Sequence, residues 1–272
     1  MRRIGLAAGD LTLSALLCEA ENPRATVVAL HGAGANAHYF DGRAHPDVSF
    51  LALGARLGYT MLAVDRPGYR RSMPDLPGGQ RISRQAHTVM VALRDFRAHN
   101  AVGKGVFLLG HSFGSAVAMT MAADSAAMDI LGLEISGWGT AFADCAQPDA
   151  LRLHWGALRL YPPGTFRSAA SILGEVPRSE RIEAFGWTAT FAEVAARITV
   201  PVHVTFAEHE ALWRHDALSV RELGDTFHGT PTVLVEHQLG AGHNISLGWA
   251  ARSYHLRTLG FFDECLVARA VR

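Results

Sequence analysis

The sequence predicts an α/β fold: a mostly parallel central sheet flanked by helices, with a helical segment inserted after the sixth strand. Three observations predict it. Short β-rich runs alternate with longer stretches of helical spacing along most of the 272 residues. Several of those runs are apolar throughout, the pattern of strands buried on both faces. From about Gly139 to Arg197 the alternation stops, and no convincing strand is found for some sixty residues.

The elements follow in chain order. "MRRIGLAAGDLTLSALLCEAEN" opens with two arginines, as a secretory leader would. Asp10 and Thr12 interrupt its apolar stretch and no small-x-small cleavage site follows, so an opening pair of strands is expected instead. "ATVVALHG" (25–32) and "YTMLAVDRPG" (59–68) are strands ending in Gly/Pro turns; "GVFLLGH" (105–111), "MDILGLEISGWG" (128–139), "VPVHVTFAEHE" (200–210) and "TPTVLVEHQ" (230–238) read the same way. Helical spacing covers 48–57, 83–99, 115–126, 215–227 and 246–268. Within the interruption, "ALRLHWGALRLYPPGTF" and "RSERIEAFGWTATFAEVAARI" read as short helices around a proline-glycine break. The expected organisation is one sheet domain, residues 1–138 and 198–272, carrying a small helical excursion at 139–197.

Composition bounds the partners. With 49% hydrophobic and 18% charged residues the chain has ample material for a large core. Twenty-five basic residues balance twenty-five acidic ones, so no global field recruits nucleic acid or an anionic membrane. The longest apolar runs fall short of a bilayer span. Cys18, Cys145 and Cys265 are widely spaced and odd in number, which makes neither a disulfide framework nor a zinc site and points to a reducing, cytoplasmic setting. No cluster of His, Asp and Glu has metal-ligand spacing, and no cofactor is implied. The expected partner is a small molecule; the oligomeric state is left open.

Open α/β sheets bind ligands beyond the carboxyl ends of their strands, so the residues just after each strand carry the chemistry. Gly110-His111-Ser112-Phe113-Gly114 is a GxSxG motif between a strand and a helix. Such a turn lifts the serine hydroxyl clear of the sheet, and glycines two positions to either side avoid collisions with neighbouring elements. Ser112 also stands at the amino end of the following helix, where backbone N–H groups favour developing negative charge. A bare GxSxG is a weak signal, and an N-capping serine would satisfy it; strand before and helix after are what make Ser112 a candidate nucleophile.

A serine hydroxyl needs a base, and the base needs a third group to hold it. His243, in "GAGHN" after the last strand, is the leading base among fourteen histidines. His111 is expected to point off the turn in the other direction and to be structural, as are His237 and His255. The acid is sought where "VHVTF" runs into Ala207-Glu208-His209-Glu210. Glu210 is preferred, Glu208 stays open as a solvated alternative, and Asp216 is a weaker reserve. An anion hole needs two backbone donors; the N–H of Phe113 and that of Ala33, in His31-Gly32-Ala33-Gly34, are the candidates.

Together "LHGAGAN", "DRPGYRRS", "GHSFGS", "FAEHE" and "GAGHN" resemble the α/β-hydrolase superfamily over nearly the whole chain. The order Ser112, Glu210, His243 is the one that superfamily uses. The resemblance implies an α/β-hydrolase fold and reads the 139–197 insertion as a helical cap. It implies a serine hydrolase acting on a modest, largely apolar ester, lactone or thioester, since the related dehalogenases and epoxide hydrolases attack with aspartate. A biosynthetic acyltransferase, cyclase or carboxylate-eliminating lyase on the same scaffold is the second reading, and a non-catalytic ligand-binding protein the third. Two departures stand out: Arg70 where relatives commonly have glycine, and glutamate where aspartate is the commoner acid. Of the aromatics in and beside the insertion, Trp138, Trp155, Trp187 and Trp213 are the candidate substrate contacts. Arg66, Arg70 and Arg71 are expected near the mouth of the pocket.

Overall fold

The computed structural model describes residues 1–124, 128–144 and 155–271. Cys145 lies outside them, as do the first residues of "ALRLHWGALRLYPPGTF". The strands are β1 (Arg2–Ala8), β2 (Leu11–Cys18), β3 (Thr26–Leu30), β4 (Thr60–Val64), β5 (Val106–His111), β6 (Ile130–Ser136), β7 (Val202–His209) and β8 (Val233–Gly242). The helices are α1 (Phe50–Arg56), α2 (Ile82–His99), α3 (Phe113–Ala123), α4 (Thr165–Ile172), α5 (Arg178–Ala196), α6 (Ala217–Asp225) and α7 (Ala251–Ala270).

The strands form one sheet in the order β1-β2-β4-β3-β5-β6-β7-β8. β1 and β2 form an antiparallel hairpin that pairs antiparallel with β4, and every pairing beyond is parallel. β3 and β4 are buried at every residue, as their unbroken apolar sequences require. Alternate residues feed opposite layers. Val28, Leu30 and Leu108 join the core beneath α2, α3 and α5, while Val27, Ala29, Phe107 and Leu109 join the core beneath α1 and α7. Phe107 stacks on Phe262 of α7 with ring centroids 4.3 Å apart. The strand order reverses at β3, whose neighbours are β4 on one side and β5 on the other. The loops leaving β3 and β5 therefore diverge, and a crevice opens between them.

Two expectations change. "RSERIEAFGWTATFAEVAARI" forms one helix of 19 residues, α5, rather than short pieces. Pro177 starts it, and Gly186 in its middle faces open space, so that glycine neither kinks nor packs. The last helix begins at Ala251, not at 246, because Ile245–Leu247 close a 3-10 turn and Gly248 is extended. Among the described residues of the segment between β6 and β7 there is no named strand. Phe142 does make an isolated antiparallel bridge with Trp213, tying the start of that segment to the loop after β7. Cys18 and Cys265 are free thiols. Among the described residues no helix is long and apolar enough to cross a membrane.

Candidate active site

Ser112 occupies the step from β5 to α3 with φ 51° and ψ −129°, a left-handed backbone that a residue with a Cβ adopts only under constraint. The constraint is visible in its flanking glycines. A Cβ on Gly110 would lie 2.4 Å from the Cα of Ser115, and one on Gly114 would lie 2.2 Å from the carbonyl oxygen of Leu30. The chain can turn this tightly only because neither position has a side chain. Phe113 opens α3, so its amide belongs to the first helical turn, where backbone donors lack an intrahelical acceptor. The loop after β3 packs directly on the serine: a Cβ on Gly32 would lie 3.0 Å from that of Ser112.

The loop after β8 carries His243, and the end of β7 delivers Glu210. The His243 Nδ1–H donates to Glu210 Oε2 at 2.8 Å, with Oε1 at 3.0 Å, and both residues are buried. Glu210 Oε1 also accepts from the Leu212 amide at 3.0 Å. Burial pushes the Glu210 carboxyl up, yet His243 and the Leu212 N–H outweigh it and hold the acid below its usual range. Glu208, by contrast, is exposed and accepts from the Gly240 amide at 2.7 Å. Asp216 caps α6, accepting from Leu218 and Ser219. The loop after β6 completes the frame, since a Cβ on Gly137 would lie 2.9 Å from Cε1 of His243.

Ser112, Phe113, His243, Ala33 and Gly32 share the wall of one cavity of about 550 Å³. Its other walls are largely apolar, with Trp138, Phe142, Trp155, Trp213, Phe185 and Leu173 prominent among them. Phe142 stacks on Trp213 at 4.4 Å, and Trp213 lies 4.6 Å from Trp138. Of the four tryptophans chosen from sequence, Trp187 is misplaced. It packs behind Trp138 at 6.1 Å and against Phe191, and it lines a separate groove along α2, α3 and α5. Among the described residues no group of three His, Cys, Asp or Glu is arranged to hold a metal ion.

Two further expectations are corrected. His111 does not point away from the site: its ring lies 5.0 Å from that of His243, stacks on Tyr39 at 4.5 Å and borders the cavity. Burial, then His243, keeps its pKa well below that of free imidazole. Arg66 is not at the mouth but has no exposed surface, and it forms a buried ion pair with Glu180 of α5. Arg70 and Arg71 are the exposed pair. Arg70 has φ 48°, the left-handed conformation that glycine would adopt without strain, and its guanidinium donates to the Ser171 carbonyl at the end of α4. Glu180 and Tyr69 escaped notice in the sequence because a charge in an amphipathic helix and a tyrosine in a turn read as solvent-facing.

An eight-stranded sheet that presents a serine on a strained strand-to-helix turn, with a carboxylate-held histidine beyond its last strand, defines a class of hydrolytic enzymes. The chain belongs to the alpha/beta hydrolase family, whose profile matches residues 27–251. No curated protein sequence matches it. Its fold is shared with a thermostable carboxyl esterase from Bacillus coagulans, at 15% identity and a TM-score of 0.72, covering 97% of this chain and 98% of that one. A monoglyceride lipase from Saccharomyces cerevisiae is similar at 14% identity and a TM-score of 0.72, covering 96% and 94%. The thioesterase domain from the curacin biosynthetic pathway is similar at 16% identity and a TM-score of 0.63, covering 94% and 99%.

Proposed function

We propose that this hydrolase cleaves a carboxylic ester, lactone or thioester of a small, largely apolar substrate through a Ser112–His243–Glu210 triad. The observation that carries the reading is the buried Glu210–His243 hydrogen bond, 2.8 Å long, in the wall of the cavity that Ser112 enters. Glu210 fixes the imidazole with its proton on Nδ1, leaving Nε2 as the acceptor. His243 takes the proton of the Ser112 hydroxyl as Oγ attacks the carbonyl carbon, then gives it to the leaving oxygen or sulfur. The amides of Ala33 and Phe113 receive the negative charge of the tetrahedral oxygen. Water, activated by the same histidine, releases the acyl group and restores the serine.

Residues 139–197 act as a cap whose described portion closes the cavity above Ser112, with Phe142, Trp155, Leu173 and Phe185 supplied from it. Aromatic walls and a volume of about 550 Å³ suit a ligand of ordinary metabolite size with an apolar acyl or alcohol part. The carboxyl esterase and thioesterase of like fold are consistent with that chemistry.

The test is labelling with a fluorophosphonate, followed by hydrolysis of p-nitrophenyl esters of increasing acyl length. An adduct on Ser112, absent in Ser112→Ala and His243→Ala, is the expected result, with turnover falling by at least about 10³-fold in each variant. A folded protein that neither labels nor hydrolyses would overturn the triad. Labelling at Ser112 with acyl transfer to added alcohols or amines, and little to water, would move the assignment to a biosynthetic transferase.

A further inference from the structure

We infer that Glu180, on α5 of the cap, is a positioning residue for the oxyanion loop, so that the donor to the tetrahedral oxygen is held in place by the cap and not by the sheet domain alone. The inference rests on the triad reading above and adds a residue to it.

The argument begins with the peptide plane. The Gly32 carbonyl and the Ala33 N–H belong to one rigid trans unit and point in opposite directions. Whatever pulls on Gly32 O therefore aims the Ala33 amide. Three donors converge on that oxygen: His31 Nδ1–H at 2.9 Å, Arg66 Nη2 at 3.1 Å and the Ala35 amide at 3.2 Å. Arg66 also donates from Nε to the His31 carbonyl at 2.7 Å, and His31 Nε2 accepts the Arg66 amide at 3.1 Å. A single neutral tautomer of His31 satisfies both of its bonds, and burial and then Arg66 keep it neutral by holding its pKa well below 6.5. The guanidinium lies 4.9 Å from the Tyr69 ring and 5.1 Å from that of Phe113, whose amide is the second oxyanion donor.

An arginine with no exposed surface needs an anion, since a lone charge at such a depth costs several kcal/mol or more. Glu180 supplies it. Its two carboxylate oxygens face Nη1 and Nη2 as a bidentate fork, with Nη2 to Oε2 at 3.0 Å. The remaining acceptor capacity is filled by the Tyr69 hydroxyl at 2.7 Å and Gln85 Nε2 at 3.0 Å. Tyr69 passes the connection on, because the same hydroxyl accepts the Gly34 amide at 2.9 Å. The loop is thus held at Gly32 and at Gly34 by a network whose anion, Glu180, comes from the cap. The end of α4 adds two ties: the Gly174 amide donates to Gly34 O at 2.7 Å, and Asn36 Nδ2 donates to Ser171 O at 3.0 Å. Both Glu180 and Gly174 also border the cavity.

An alternative use of Glu180, direct recognition of a cationic substrate, is disfavoured by the same geometry. Both its oxygens are committed to buried partners on the protein itself.

The test uses the 272-residue chain with Glu180→Gln, Glu180→Asp and Glu180→Ala beside the wild type. Glu180→Gln keeps the shape and removes the charge; Glu180→Asp restores the charge on a shorter arm. Steady-state kinetics on the best p-nitrophenyl ester and affinity for an arylboronic acid, whose tetrahedral adduct places an oxygen in the oxyanion hole, are the two readouts. The expected result for Glu180→Gln is a kcat lowered about 10- to 100-fold, a KM within about threefold of wild type, and boronate affinity lost in parallel with kcat. Glu180→Asp should recover part of both. A merely structural role would lower thermal stability and leave kcat and boronate affinity of the folded fraction unchanged, which would overturn the inference. So would a rise in KM at constant kcat, the mark of a substrate contact. If Ser112 of the wild type fails to label, the triad falls and this inference with it; if Ser112 labels and Glu180→Gln turns over normally, only the role of Glu180 falls.

Discussion

At the scale of single residues, the decisive question is which carboxylate holds His243, because two glutamates stand two positions apart at the end of β7. Strand geometry separates them. Glu208 is exposed and spends its carboxylate on the Gly240 amide, whereas Glu210 turns inward past Ala207 and meets the imidazole. Glu210→Gln presents an amide where Nδ1–H requires an acceptor, which selects the wrong tautomer or leaves one group unpaired. Turnover should fall by about 10⁴-fold with the fold intact, while Glu208→Gln should stay within about twofold of wild type; parallel kcat measurements and circular dichroism check both. The position of Ser112 was legible in the sequence because the apolar run of β5 marks its end, and those of Glu210 and His243 because each lies just beyond a β-rich run, β7 and β8. Arg66 and Glu180 were not, since sequence shows a charge but not the depth at which it is held.

At the scale of elements, glycine has opposite meanings in α3 and α5, and space decides between them. Gly114 in the first turn of α3 touches the end of β3, where a Cβ would meet Leu30 O at 2.2 Å. Gly114→Ala must push backbone apart, and it should cost about 1–3 kcal/mol or more and move Ser112 off its position. Gly186, in the middle of α5, has nothing within 4 Å of where a Cβ would stand. Gly186→Ala should stabilise the protein by roughly 0.5–1 kcal/mol by lowering the entropy lost on folding. Urea denaturation of the two variants checks both signs. Exposed and unhindered, Gly186 leaves α5 unbroken, and Trp187 falls on the face it shares with Phe191, against Trp138 and outside the cavity wall that holds Ser112.

At the scale of the whole molecule, the alternation of apolar runs with helical spacing was enough to read the sheet, because a parallel strand buried on both faces has no other place to be. What the sequence hid was the polar material inside that sheet. His203 of β7 is buried between Glu134 of β6, at 2.5 Å, and Glu236 of β8, at 3.3 Å, and Thr205 donates to Glu134 at 2.9 Å. Burial pulls the imidazole pKa down, but Glu134 and then Glu236 overcome it and lift it to about 9. A pKa raised above the unfolded value of about 6.5 makes the pair stabilising below that pH, and the contribution is lost as pH rises through about 9. The full shift corresponds to about 3 kcal/mol as an upper bound. The acid side is set by the opposite case. His255 is wholly buried beside Ser246, and burial lowers it to about 3, so unfolding takes up a proton that the native state refuses. Stability from this residue is present above about 6.5 and declines as pH falls toward 3. Unfolding free energy should therefore be highest near neutrality and fall on both sides. Between pH 6.5 and 9 the decline should flatten in His203→Gln, which keeps the site polar but cannot titrate. A slope in that window identical to wild type would mean that His203 is not protonated in the native sheet.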